Sequence, residues 1–121
     1  MKPETIENCP CISPCPIDAV FKHVGGKWKI KIICTLYYNE TLHYSDIKRM
    51  VKGISPTMLA GSLRELEESG LITRSVLDTM PVRTEYALSD AGRSLAPILK
   101  ELREWMVAYT PQIYTELELK D

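Results

Sequence analysis

Three of the four cysteines fall close together as Cys9-x-Cys11-x3-Cys15, with Cys34 further on and two histidines, His23 and His43. Thiolates so spaced can ligate a metal, pair as a disulfide or react singly, and their surroundings decide which. A structural zinc takes four ligands, and neither Cys34 nor either histidine is placed to complete the set, so a cysteine-cluster metal centre stands only as an alternative. Cys15 directly precedes Pro16 at the opening of a helix, where the positive end of the dipole favours a thiolate. Cys15 is therefore the candidate redox or electrophile switch; an inert packed thiol and a metal ligand are its other readings. The histidines have no evident nucleophile beside them and no glycine loop cradles a phosphate, so neither an enzyme nor a cofactor is expected.

The second chemistry is charge. From Phe21 to Gly53 the chain carries seven basic residues (Lys22, Lys27, Lys29, Lys31, Lys48, Arg49, Lys52) against Glu40 and Asp46, a local balance of +5. The whole chain is near neutral, at -1 with pI about 6.1, because acids gather at Glu65, Glu67, Glu68 and from Glu101 to Asp121. Near-neutrality argues mildly against a nucleic-acid partner, but the asymmetry produces one electropositive face. A charged face that is merely solvated is the bland alternative.

At 121 residues, 45% hydrophobic and 26% charged, the chain has material for one domain around one core and no room for a separate catalytic domain. No apolar run approaches the roughly 20 residues that span a bilayer. The first 16 residues lack the basic start and apolar stretch of a signal peptide. A cytoplasmic protein with no membrane partner is expected, in a compartment that keeps thiols reduced.

The elements that must position these groups are readable from periodicity. Residues 1–15, with three prolines and three cysteines, form an irregular arm. Pro16 opens a helix carrying Ile17, Val20, Phe21 and Val24, stopped by Gly25-Gly26. A second helix runs from about Trp28 to Tyr38, with Trp28, Ile32, Ile33, Leu36 and Tyr37 on one stripe and Lys27, Lys29 and Lys31 leaving it. Leu42-His43 makes at most a stub of strand, and Ser45 caps a third helix that turns Ile47 and Met50 inward and Lys48, Arg49 and Lys52 outward. Gly53-Ile54-Ser55-Pro56 is a tight turn, with Ser55 as cap and Pro56 at the first helical position, where its missing N–H costs nothing. The fourth helix buries Leu59, Leu63 and Leu66, exposes Thr57, Ala60, Gly61, Arg64 and Glu68, and ends at Gly70. Leu71–Leu77 and Val82–Leu88 make a hairpin around Asp78-Thr79-Met80-Pro81. From Ser89 a long helix carries Leu95, Ile98, Leu99, Leu102, Trp105, Met106 and Tyr109 on one stripe; Pro111 breaks it, and a short helical segment over 111–121 closes the chain.

Three helices, the third joined to a fourth by a tight turn, then a hairpin, is the order of a winged helix-turn-helix, here over residues 16–110. The fold class expected is mainly α with a small β-hairpin (α+β). A helix so presented fits the major groove of double-stranded DNA, with the hairpin reaching the flanking backbone or minor groove. A winged helix that binds protein rather than DNA is the alternative.

The motifs Cys15-Pro16-Ile17, Gly25-Gly26-Lys27-Trp28, Gly53-Ile54-Ser55, Met58-Leu59, Leu63-Arg64-Glu65-Leu66, Gly70-Leu71-Ile72, Pro81 to Leu88 and Gly92 together resemble the HxlR-type family of regulators. The likeness spans about Cys15 to Trp105. It implies a homodimeric transcriptional regulator on inverted-repeat operators, with the fourth helix in the major groove and the hairpin as wing. It also implies that a cysteine at the place of Cys15 can sense oxidants or electrophiles, making an oxidant or small-molecule inducer a further partner.

The candidate DNA face comprises Lys27, Lys48, Ser55, Thr57, Met58, Gly61, Arg64, Arg74 and Arg83. Ser55, Thr57 and Lys48 suit phosphate oxygens, although Ser55 can be a simple cap. Arg64 suits a guanine edge or a phosphate, or pairs with Glu68. Arg83 suits a phosphate or a narrow minor groove, or pairs with Glu85 or Asp78. Lys27 and Lys29 contact phosphate or only solvate their helix. Where the family pattern places glutamine, arginine or threonine on the reading helix, this chain has Pro56, Ala60 and Gly61, which leaves specificity to methyl contacts, Arg64 and DNA shape. The long last helix pairs with the first helix of a second copy through Ile17, Val20, Phe21, Leu95, Leu99, Leu102, Trp105, Met106 and Tyr109, or packs on its own domain. A two-fold dimer predicts a palindromic operator.

Overall fold

The computed structural model describes residues 15–109. The arm before Cys15, including Cys9 and Cys11, and the closing segment at 111–121 lie outside the described residues. Within them the order is α1 (Pro16–Val24), α2 (Lys27–Tyr37), β1 (Leu42–His43), α3 (Tyr44–Met50), α4 (Pro56–Glu68), β2 (Ile72–Leu77), β3 (Arg83–Leu88) and α5 (Asp90–Tyr109). This is the mainly helical winged helix-turn-helix expected.

Each helix starts and stops for a local reason. Pro16 occupies the first turn of α1, and at Gly25 any Cβ would run into the Phe21 carbonyl. Gly26 follows at φ +84°, a conformation L side chains resist, so the pair turns the chain sharply into α2. α4 ends in a paired clasp: the Gly70 N–H donates to the Glu67 carbonyl at 3.0 Å and the Leu71 N–H to that of Leu66 at 3.0 Å. Gly70 at φ +78° makes that clasp possible and gathers carbonyls the helix end leaves unpaired. Ser89 starts α5, its hydroxyl accepting from the Gly92 N–H at 3.1 Å and donating to the Gly70 carbonyl at 2.6 Å. That double contact fixes the long helix to the end of α4.

Two expectations at α3 are corrected. Its cap is His43, whose backbone N–H donates to Asp46 Oδ2 at 3.1 Å, and Ser45 lies exposed inside the helix. Met50 is exposed, and Val51 takes the inward place. The Val51 N–H donates to the Ile47 carbonyl at 2.9 Å, which seats Val51 one turn beyond the fully buried Ile47 at the point where the helix ends. Tyr37, expected on the stripe of α2, is exposed at the helix end and packs edge-on against Tyr38 at 5.3 Å.

The strand stub has a larger role than its length signals. Leu42 and His43 pair with Tyr86 and Glu85 of β3, giving an antiparallel sheet of order β1-β3-β2. In the hairpin Ile72 faces Leu88 and Leu77 faces Arg83. Tyr86 and Leu88 point inward on β3, whereas β2 is exposed from Thr73 to Val76. The core lies between the helices and this inner face, with Ile32, Ile33, Ile47, Ile54, Leu59, Leu63 and Leu66 shut off from solvent.

Candidate nucleic-acid interface

The three leucines at i, i+4 and i+7 dictate how α4 sits. Leu59, Leu63 and Leu66 anchor it, with Ser62 buried beside them, and the opposite side presents Thr57, Met58, Ala60 and Arg64 to solvent. Ser55 is exposed at the cap, its Oγ accepting the Met58 N–H at 3.1 Å. A hydroxyl that accepts one bond still has a proton to donate, so capping leaves Ser55 competent toward a phosphate oxygen. Gly61 is half-buried on the same side.

Arg74 and Arg83 are exposed on the two strands of the hairpin, Arg83 at its loop end. No ion pair among the described residues uses Arg64, Arg74 or Arg83. The alternatives of Arg64 with Glu68, and of Arg83 with Glu85 or Asp78, are therefore not realised. Lys48 is half-buried on α3, beside exposed Arg49, which pairs with Asp46 at 3.5 Å.

The lysines of α2 divide in a way the sequence did not reveal. Lys27 and Lys31 stand over the Trp28 ring at 4.6 and 5.1 Å from its centroid, in cation–π contact. Lys29, expected to leave the helix for solvent, instead reaches Glu65 Oε1 of α4 at 2.7 Å with its side chain only 13% exposed. That bond, and the ammonium charge behind it, hold the Glu65 carboxyl below its usual range. Lys29 is thus removed from the candidate phosphate contacts and ties α4 to α2.

Two further ties were missed. His23 Nδ1 lies 2.9 Å from Ser69 Oγ, joining α1 to the end of α4, and the Tyr44 hydroxyl lies 3.5 Å from the Pro56 carbonyl at its start. Neither has a local sequence signal, because each joins separate elements. Between the α1–α2 turn and α4 runs a cleft of about 380 Å³ bordered by Gly26, Trp28, Thr57, Met58 and Gly61.

Cys15 caps α1, half-buried, its carbonyl accepting the Ala19 N–H at 3.3 Å. Cys34 is half-buried on α2; burial pushes its thiol up, opposed by the charge and hydrogen bond of Arg103.

α5 divides at its middle. Its first half packs inward through Gly92, Ala96 and Leu99, while Ile98, Leu102, Trp105 and Tyr109 are 55–70% exposed. Ile17, Val20 and Phe21 of α1 are exposed as well. Leu99 is buried in the chain's own core and so leaves the set assigned to a second copy, while Leu95 is half-buried against that core. At 20 residues, about 30 Å long, α5 exceeds what this core can cover. Met106 is half-buried.

A model of the HxlR-like helix-turn-helix family matches residues 23–114. This chain belongs to that family. It is 43% identical over 95 residues to an uncharacterized HTH-type transcriptional regulator of Methanothermobacter thermautotrophicus, covering 78% of this chain and 72% of that protein. It is 40% identical over 93 residues to YdzF of Bacillus subtilis, likewise an uncharacterized HTH-type transcriptional regulator, covering 77% and 85%. Among solved structures, the redox regulator HypR in its oxidized form superposes with a TM-score of 0.72 at 32% identity, covering 78% of this chain and 96% of that one. Reduced YodB from B. subtilis, a transcriptional regulator, gives 0.67 at 31% identity, covering 77% and 91%. The family span takes in the helix-turn-helix, the wing and the exposed half of α5. Among the described residues no helix of this HxlR-like chain is long and apolar enough to cross a membrane.

Proposed function

We propose that this HxlR-like chain regulates transcription by binding double-stranded DNA as a two-fold dimer, acting in the cytoplasm by occupancy rather than catalysis. One observation carries the reading: α4 is anchored by Leu59, Leu63 and Leu66 while its whole outer side, from the Ser55 cap to Arg64, stays open to solvent. Ser55 and Thr57 at the positive helix end, with Lys27 and Lys48, meet phosphates; Met58, Gly61 and Arg64 face the major groove; Arg74 and Arg83 bring the wing to the flanking duplex. The exposed apolar faces of α1 and α5 close on those of a second copy, and symmetry then demands an inverted repeat.

The test is titration of purified protein against duplex fragments from its own promoter region, followed by fluorescence anisotropy across a salt series. Specific binding that weakens steeply with salt is expected. Affinity for every fragment no better than for random duplex at each salt concentration would overturn the reading.

A switching role for Cys15 is favoured by its place at the α1 cap and by the likeness to the redox regulator HypR. With diamide, Cys15 and a second thiol lose two electrons and two protons as an S–S bond forms, and the N=N bond is reduced to a hydrazine. Because Cys15 opens α1, the bond would shift the helix that builds the dimer.

A further inference from the structure

Over the first two turns of α4 the side chains open to solvent are Pro56, Thr57, Met58 and Ala60, with Gly61 half-exposed. One hydroxyl, that of Thr57, is all they offer for hydrogen bonding, since Ser62 is 5% exposed and turned inward. The first side chain able to grip a base edge with two bonds is Arg64, two turns in. Yet a reading helix in the major groove contacts bases chiefly with its N-terminal residues. Adenine, guanine and cytosine mark that groove with donors and acceptors alone, which apolar side chains cannot read; the thymine C5-methyl is the groove's one apolar mark.

Met58 is the large apolar group at this end, 46% exposed. The Ser55 cap fixes its backbone through a 3.1 Å bond, while its unbranched thioether can adapt to a surface beside it. Gly61 lies three residues on, on the same side. Glycine inside a helix is less favourable than alanine, and nothing in the fold requires it here: beyond its chain neighbours and the helix's own backbone, a Cβ at Gly61 would meet no atom within 4 Å, and its backbone is not in the left-handed region. The fold therefore gives no reason for the missing side chain. Its absence leaves open the cleft of about 380 Å³ beside Met58.

We infer that α4 reads thymine methyl groups through Met58, with Gly61 giving base-pair edges room to approach the helix backbone, so that each operator half-site carries A·T pairs facing this turn. The inference rests on the DNA-binding reading above.

It is tested on a duplex selected by the full-length protein from a random-sequence library, made with thymine and again with deoxyuridine, which lacks only the methyl. The wild type is expected to bind the deoxyuridine form about fourfold more weakly for each contacted methyl, about fifteenfold for two symmetric half-sites. Met58→Ala should bind both forms equally. Gly61→Ala should raise Tm and weaken binding, since the helix gains while the approach closes. Equal affinity of the wild type for both forms, or a full methyl effect persisting in Met58→Ala, overturns the inference while the regulator stands. Gly61→Ala with undiminished affinity removes the role given to Gly61. If selection enriches no duplex, the regulator reading fails and takes the inference with it.

Discussion

Replacing Trp105 by alanine removes the largest side chain on the exposed half of α5. Trp105 is 55% exposed, stacks on Tyr109 at 5.0 Å between ring centroids and lies outside the core cluster. A tryptophan buries up to about 250 Å², so roughly 140 Å² of it is left to solvent in the single chain. At about 25 cal/mol per Å² that area is equivalent to about 3.4 kcal/mol per copy, or about 7 kcal/mol for a symmetric pair. Ordering of side chains and imperfect coverage reduce this, and about half, near 3.4 kcal/mol, is the expected weakening of the dimer. That corresponds to roughly a 300-fold larger dissociation constant. Sedimentation equilibrium over a concentration series measures it directly, and thermal unfolding of the dissociated chain should be little changed. A wild type that stays monomeric at the highest concentrations, or an unchanged dissociation constant in Trp105→Ala, would refute the assignment of this face to a second copy.

Arg83→Ala is expected to weaken operator binding by about 1 to 3 kcal/mol and, if the guanidinium meets a phosphate, to lower the salt slope by about 1; identical titrations for mutant and wild type would show that the wing tip does not touch DNA. Cys15→Ser should bind normally in reductant but no longer respond to diamide or a quinone, and a retained response would move sensing to another thiol. The Lys29–Glu65 pair has a defined pH signature. Because the folded state holds the Glu65 carboxyl below its unfolded range, the pair stabilises above that range and its contribution is lost as pH falls through the lowered value. Glu65→Gln should therefore lower Tm near neutrality and converge with the wild type in acid; a constant Tm difference across the melts would remove the pair from the stability of the fold.

Helix α4 was legible residue by residue. Ser55-Pro56 marks its start, Leu59, Leu63 and Leu66 its inner side and Gly70 its end, and the structure returns each of them. Ser45 misled because the cap, His43, stands two positions before it and caps through Asp46, and Met50 because apolar Val51, one position on, takes the buried place. The strand stub was visible as two residues, but its partners Tyr86 and Glu85 were not, since no feature of Leu42-His43 names them.

Everything the chain alone determined is local physics: which segments are helical, where they begin and end, and which side of each is apolar, because those signals act within one or two turns of backbone. Only the tertiary structure decided which charges are spent internally and which apolar groups stay uncovered. Lys29 and Lys27 look alike in sequence, yet α4 brings Glu65 to the first and leaves the second over Trp28. Leu99 and Leu102 share one stripe, yet the core ends between them. Burial depends on what packs across from a residue, and that neighbour comes from another element whose identity the local sequence does not carry.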